Sequence, residues 1–223
     1  MGKWCESEIK GIEMDNILVI LTSIILCGIS FYLLIRKKES KTKLLIVYMI
    51  ASFILVVGLA VMLQFFYVGN ALYTNMRMIA LVSIMAPIAY IDFTELRIPN
   101  EYVIIGIVYW ILSIFVEILC GSQFIWMNII SSLIAATALF IAALLCKVCI
   151  KGSIGAGDIK LFMVMGLLLE LDGIWSAIFL SLVISFIVAV FLLAAKKKNR
   201  TDAMAFGPAL AIGTWLSIFL TGV

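Results

Sequence analysis

Long apolar runs alternate with short polar segments along the chain, and most of these runs are long enough to cross a lipid bilayer. A membrane-spanning helix needs about 20 mostly apolar residues. Eight runs approach or meet that length: 16–35, 44–68, 72–91, 102–120, 124–146, 159–171, 174–195 and 203–221. The sixth run is too short for about 30 Å of hydrocarbon at about 1.5 Å per residue, and it predicts a short buried helix or a re-entrant segment.

The composition supports the same interpretation. Hydrophobic residues make up 65% of the 223 residues and charged residues 13%, which is too little polar surface for a soluble domain of this size. The chain has no histidine, so catalytic triads and most zinc sites lack their usual base or ligand. We therefore expect an all-α, polytopic transmembrane bundle of about eight helices, one of them short, with neither a metal nor a cofactor.

Basic residues cluster in "RKKESKTK" and "KKKNR", at 36–43 and 196–200. Such clusters can bind nucleic acid, but in this composition they indicate cytoplasmic juxtamembrane loops, and we expect no nucleic-acid partner. If all eight runs cross and the N-terminus is outside, the outer side keeps only three of the 16 basic residues, Lys3, Lys10 and Arg77. Without the sixth crossing, "KKKNR" would lie outside, so the positive-inside rule favours eight crossings.

A carboxylate closes the third apolar run. Asp92 ends "MAPIAYID" and is followed by "FTELRIPNEY". Pro87 predicts a kink before Asp92, because proline lacks an N–H and clashes with the preceding turn. Pro99 disfavours helix at Ile98, so the chain should turn there and begin a new helix. We expect Asp92 at a helix end on the cytoplasmic face.

A second carboxylate follows two glycines in "KGSIGAGDIKLF", residues 151–162. Glycine permits positive φ and close backbone approach, so Gly155 and Gly157 predict a tight connection before the short helix. Asp158 then lies in the first turn, where the helix dipole favours negative charge. A charge near hydrocarbon costs ~3 kcal/mol on insertion scales, which suggests a function for Asp158.

A third irregular element is "FGPALAIG", residues 206–213. Gly207 and Pro208 should break the last helix one or two turns inside its cytoplasmic end. The freed backbone groups could then bind an extended peptide by strand-like pairing.

These three elements share one face and one depth in the predicted topology. Two close carboxylates do not both ionise easily, so one keeps a proton and acts as an acid while the other accepts a proton from water. This is the chemistry of an aspartic peptidase. For five of the other carboxylates we expect solvated, structural roles: Glu101, Glu117, Glu170, Asp172 and Asp202. The lone CxxC at Cys146 and Cys149 predicts reduced, structural thiols.

The motifs resemble those of type IV prepilin peptidases. "IDFTELRIPN" is similar to their first aspartate motif, "GAGDIKLF" to their Gly-x-Gly-Asp-x-Lys-Leu motif, and "FGPALAIG" to their late Gly-Pro motif. The resemblance spans roughly residues 78–220. It divides the chain into an N-terminal tail with two membrane helices, 1–75, and a catalytic membrane domain, 76–223.

The resemblance implies a multi-pass aspartic endopeptidase of the cell membrane. Such enzymes remove the basic leader from pilin-like precursors at the cytoplasmic face, while the precursor's hydrophobic helix lies in the bilayer beside them. Asp92 and Asp158 would be the catalytic pair, and Lys160 would tune the pair or hold a substrate carboxylate. Loop-shaping or substrate-binding roles are implied for the other motif positions: Pro99, Asn100, Gly155, Gly157, Gly207, Pro208 and Gly213.

Longer members of this family carry a zinc-binding cytoplasmic domain after the first helix and also methylate the new N-terminus with S-adenosylmethionine. Here that space holds only "RKKESKTK", so we do not expect the second activity.

Three alternatives compete with the peptidase interpretation. A presenilin-type intramembrane protease also uses Gly-x-Gly-Asp, and residues 208–210 spell that group's Pro-Ala-Leu, but Ile98-Pro99-Asn100 and Lys160-Leu161 fit the prepilin group better. Ion-coupled transporters also use broken helices and membrane carboxylates, usually near the midplane of an inverted repeat, and no repeat is visible here. A catalytically silent scaffold would tolerate the loss of either aspartate.

Overall fold

The computed structural model describes residues 2–37, 43–67, 69–149, 155–195 and 205–222. These residues form an all-α bundle, as predicted. The helices are α1 (Gly2–Lys37), α2 (Lys43–Phe66), α3 (Leu72–Glu95), α4 (Asn100–Leu119), α5 (Ile125–Cys149), α6 (Ala156–Ala194) and α7 (Gly207–Thr221).

By length and composition, six helices in the described part of the chain are able to cross a membrane, and α7 is a shorter apolar helix of 15 residues. Large apolar side chains are exposed along α1, α2, α4, α5 and the second half of α6. A soluble protein would bury most of such a surface, whereas a bilayer solvates it. The chain is therefore a multi-pass membrane protein.

The sixth and seventh predicted runs form one element, α6, because helix resumes immediately after a sharp turn at Glu170. This residue has φ 58° and ψ −167°, a backbone conformation that residues other than glycine rarely adopt. The first limb, 156–169, rises only about 21 Å. It begins beside Ile98, just beyond α3, and ends where Glu170 pairs with Arg77 near the start of α3.

The second limb of α6 runs in the opposite direction to the first. Ser176 contacts Ser217 near the end of α7, with 2.6 Å between the two Oγ atoms. Ser181 packs against Gly213, which is closer to the start of α7. Since α7 begins beside Asp92, the second limb returns toward the end of the bundle at which the first limb began. The two limbs therefore correspond to the two separate passages that the charge distribution predicts.

α3 is the central helix of the bundle. Within its most apolar stretch, 89% of the residues are buried, against 11–39% in the other long helices. It packs against α1, α2, α4, α6 and α7. The helix that carries Asp92 is therefore held from all sides by other helices.

Glycines allow the closest helix contacts. A Cβ atom added at Gly166 of α6 would lie 2.6 Å from the Cα of Ala136 in α5, and one added at Gly213 would lie 2.5 Å from the Cα of Ser181. Small residues at such positions let helix backbones approach each other, which is the usual way that membrane helices pack.

The sequence predicts two helix irregularities. α7 begins at Gly207 with Pro208 in its first turn, and the break expected within a helix over 203–221 stays a prediction, since residues 203 and 204 lie outside the described ranges. Proline suits a first turn because its missing N–H would have no intrahelical acceptor there. The helix α3 continues through Pro87 to Glu95, and the kink stays a prediction. The expectations for "KKKNR", Lys151, Asp202 and most of "RKKESKTK" concern residues outside the described ranges.

Candidate active site

Asp92 lies in the last turn of α3, as predicted. The N–H of Leu96 donates to the backbone oxygen of Asp92 (2.9 Å), and Leu96 ends the helix in a left-handed conformation with φ 52°. The side chain of Asp92 is buried, with 6% of the residue exposed. The chain then extends through Pro99, and α4 begins at Asn100, which confirms the turn expected from that proline.

The start of α7 contacts the Asp92 carboxylate directly. The Gly207 N–H donates a 2.7 Å hydrogen bond to Oδ2 of Asp92. A Cβ atom at position 207 would lie only 2.9 Å from Oδ2 and 3.0 Å from the Cβ of Asp92. Only glycine allows this approach without displacement. The first N–H groups of a helix also carry a partial positive charge, which favours the negative charge of the carboxylate.

Asp158 lies in the first turn of α6, again as predicted. Gly155 precedes the helix, and its N–H donates to Oδ2 of Asp158 at 3.2 Å. Gly157 packs against Ile98, since an added Cβ would lie 2.9 Å from the Ile98 Cβ and 3.3 Å from its backbone nitrogen. Gly155 has φ −68°, and Gly157 also lies outside the positive-φ region. Of the two properties that glycine offers, close backbone approach is therefore the one used here, and positive φ is not.

The fold brings the two aspartates to one site. The contact of Gly157 with Ile98 holds the start of α6 beside the end of α3, and the contact of Gly207 with Asp92 holds the start of α7 there. Phe162, one turn after Asp158, packs edge-on against Phe206, with 5.9 Å between the ring centroids. Because Phe206 directly precedes Gly207, this aromatic pair joins the start of α6 to the start of α7. Sequence reasoning did not single out either phenylalanine.

Lys160 and Asn100 also lie at this end of the bundle. The Lys160 Nζ donates a 2.9 Å hydrogen bond to Oδ1 of Asn100, and both side chains are exposed. This bond joins the first turn of α6 to the first turn of α4, beside the aspartate pair. Gly213 does not lie at this end of the bundle. It is about 9 Å further along α7 than Gly207, and it packs against Ser181. Gly213 is a helix-packing residue.

A cluster of buried charges at the opposite end of the bundle is the main feature that sequence reasoning missed. Arg77 of α3 donates from Nη2 to Oε2 of Glu117 (2.7 Å), from Nε to Ser113 (2.7 Å) and from Nη1 to Glu170. Only 1% of Arg77 and 0% of Glu117 is exposed, so the expected solvation of Glu117 is wrong. Asn128 completes the cluster by donating to Oε1 of Glu117 at 2.5 Å.

This cluster had a detectable signal in the sequence. An arginine and a glutamate inside apolar runs of different helices are costly unless they pair with each other.

A cavity of about 230 Å³ adjoins the cluster and is lined in part by Tyr73, Asn128 and Asp172. Asp172 and Glu101 are exposed, as expected. Cys146 and Cys149 are exposed, reduced cysteines at the end of α5.

Comparison with known proteins identifies a family. Residues 79–194, slightly more than half of the chain, match the type IV leader peptidase family. No curated protein matches the chain, and no solved structure does. The matched region holds both aspartates together with Pro99, Asn100 and Lys160. The chain therefore belongs to the type IV leader peptidase family.

Proposed function

We propose that this chain is an aspartic endopeptidase in which Asp92 and Asp158 are the catalytic pair. The observation that carries the proposal is that carboxylates of two different helices lie at one end of the bundle, in a member of a leader peptidase family. Two close contacts build this arrangement, that of Gly157 with Ile98 and that of Gly207 with Asp92.

The hydrogen bonds of the pair suggest how the protons are arranged. Oδ2 of Asp92 accepts from Gly207, and Oδ2 of Asp158 accepts from Gly155. Because each Oδ2 already accepts an N–H bond, we assign the proton exchange to Oδ1 of each group. One carboxylate then takes a proton from water, which attacks the peptide carbonyl. The other, protonated carboxyl group protonates the carbonyl oxygen, and a proton later passes to the departing amine.

We propose that the aspartate end of the bundle faces the cytoplasm and that the membrane is the cell membrane. Basic residues at or near the helix ends on this side support the orientation: Arg36, Lys43, Arg97, Lys147 and Lys160. At the opposite end, Arg77 is buried in ion pairs and does not act as a loop charge.

The proposed substrates are pilin-like precursors with a leader peptide and a hydrophobic helix. Such a helix would lie in the bilayer and approach the site from the side. Phe93 and Leu96 support this path, because they follow Asp92 along the chain by one and four residues and are 73% and 53% exposed. They present an apolar surface next to the proposed cleavage site.

The test is co-expression with pilin-like precursors from the same genome, with leader loss followed on gels and by mass spectrometry. Asp92→Asn and Asp158→Asn should each reduce cleavage by about 1,000-fold or more, since each removes a proton-transfer group but keeps an acceptor for the backbone N–H. Asp172→Asn, at the exposed carboxylate of the opposite end, is the matched control and should cleave normally. Cleavage that survives in either Asp92→Asn or Asp158→Asn would refute the aspartic mechanism. A wild-type chain that cleaves none of several precursors would refute the substrate class.

A further inference from the structure

Tyr48 of α2 contacts α3 at two successive turns just before Asp92. Its hydroxyl donates a 2.6 Å hydrogen bond to the backbone oxygen of Ala86. Its ring packs against the ring of Tyr90, with 5.2 Å between centroids and 42° between planes. Both contacts fall within the six residues that precede Asp92.

These contacts lie at the weakest point of α3. Pro87 has no N–H, so the carbonyl of Ser83 has no intrahelical donor, and the helix is more easily bent there. Cys27 of α1 contacts the Ser83 side chain, with 3.6 Å between Sγ and Oγ. Tyr48 holds Ala86, the residue directly before Pro87. The two N-terminal helices therefore support α3 on the turn where proline interrupts its hydrogen bonds.

The direction of α3 after Pro87 determines where the Asp92 carboxyl group lies. Asp92 is about 7.5 Å further along the helix axis than Pro87. A change of about 10° in the axis at Pro87 would therefore move Asp92 by roughly 1 Å. A displacement of that size can reduce catalysis by about 100-fold. It would also disturb the 2.7 Å hydrogen bond from Gly207.

We propose that Tyr48 is a positioning residue for Asp92, and that the N-terminal helix pair sets the geometry of the aspartate pair. This inference rests on the proposed function. It assigns a task to α1 and α2, which lie outside the segment 79–194 that matches the family. Tyr48 acts through the backbone of α3, since its hydroxyl is bonded to Ala86.

The test compares two variants that each remove one tyrosine hydroxyl. Tyr48→Phe keeps the ring contact with Tyr90 and loses the bond to Ala86. Tyr67→Phe loses the contacts of its hydroxyl with the backbone oxygens of Leu220 (3.0 Å) and Phe219 (3.3 Å) at the opposite end of the bundle. We expect Tyr48→Phe to reduce kcat by about 10- to 100-fold with KM within about twofold, and Tyr67→Phe to keep both constants within about twofold. Unchanged kcat in Tyr48→Phe, or an equal decrease in both variants, would overturn the inference.

A second measurement does not depend on cleavage. Amide hydrogen exchange of peptides covering residues 83–95 reports how firmly the end of α3 is held. Tyr48→Phe should raise exchange in these peptides about fivefold or more, while Tyr67→Phe should leave it at the wild-type rate. Wild-type exchange in Tyr48→Phe would overturn the inference even if the wild-type chain cleaves precursors. If the wild-type chain cleaves none, the proposed function fails, while this measurement still decides whether Tyr48 holds α3.

Discussion

Substituting Gly207 by alanine tests most directly whether α7 positions Asp92. The new Cβ would lie 2.9 Å from Oδ2, 3.0 Å from Cβ and 3.3 Å from Cγ of Asp92. Favourable contacts between such atoms lie at about 3.5 Å or more, so the two residues must separate by roughly 0.5 Å. The hydrogen bond from the Gly207 N–H to Oδ2, now 2.7 Å, would lengthen or bend.

The expected loss of activity follows from that displacement. Because a misplacement of about 1 Å can cost about 100-fold, roughly 0.5 Å should reduce kcat about tenfold. Overpacking of a buried contact costs about 1–3 kcal/mol of stability. The variant should therefore still fold, and the defect should appear mainly in kcat.

The assay is the steady-state cleavage of a purified pilin-like precursor, with kcat and KM measured separately and a thermal midpoint recorded for each variant. Gly58→Ala in α2 is the matched control, since Gly58 is exposed and an added Cβ would meet no atom within 4 Å. Wild-type kcat in Gly207→Ala would refute the idea that this contact sets the position of Asp92. If Gly207→Ala and Gly58→Ala lower kcat equally, the effect comes from the general change from glycine to alanine and not from the contact with Asp92.

Two further predictions concern stability, measured by thermal or denaturant unfolding in detergent. Arg77→Met should destabilise the fold by about 3–5 kcal/mol, because it leaves the Glu117 charge buried and unpaired, and Arg77→Met with Glu117→Leu should recover much of that loss. An equal loss in the single and double variants would contradict this account. Gly166→Ala should cost about 1–3 kcal/mol, because the new Cβ would lie 2.6 Å from the Ala136 backbone, which cannot move as a side chain can. Gly28→Ala, where an added Cβ meets nothing within 4 Å, is its control, and similar midpoints in the two variants would refute the packing argument.

Local rules explain why much of the site was predictable from the sequence. Pro99 excludes helix at the preceding residue, so Asp92 had to lie near a helix end. Asp158 follows glycines and precedes an apolar run, which is a common pattern for the first turn of a helix. These effects act over a few residues, and tertiary packing did not override them.

Other features depend on contacts between distant segments, which local rules do not predict. Gly157 is required because Ile98 packs against it, and a preference for positive φ has no part in this. Gly207 starts α7 against Asp92, although a Gly-Pro pair within an apolar run looked like a break in a longer helix. Gly213 belongs to the same sequence motif as Gly207, but it faces the second limb of α6. The side of a helix on which a glycine is needed is determined by its neighbours in the fold.

The buried charges and the aspartates are two ends of one arrangement. Arg77 and Asp92 lie about 22 Å apart along α3, and Asp158 and Glu170 lie about 18 Å apart along the antiparallel first limb of α6. The ion pair between Arg77 and Glu170 joins the two helices at one end, and the two lengths differ by only about 4 Å, less than one helical turn, so the other ends carry Asp92 and Asp158 at neighbouring levels. If this pairing sets the register, Arg77→Met should reduce cleavage even at temperatures where the variant remains folded, although Arg77 lies far from the reacting groups. Wild-type cleavage by the folded variant would limit Arg77 to stability alone.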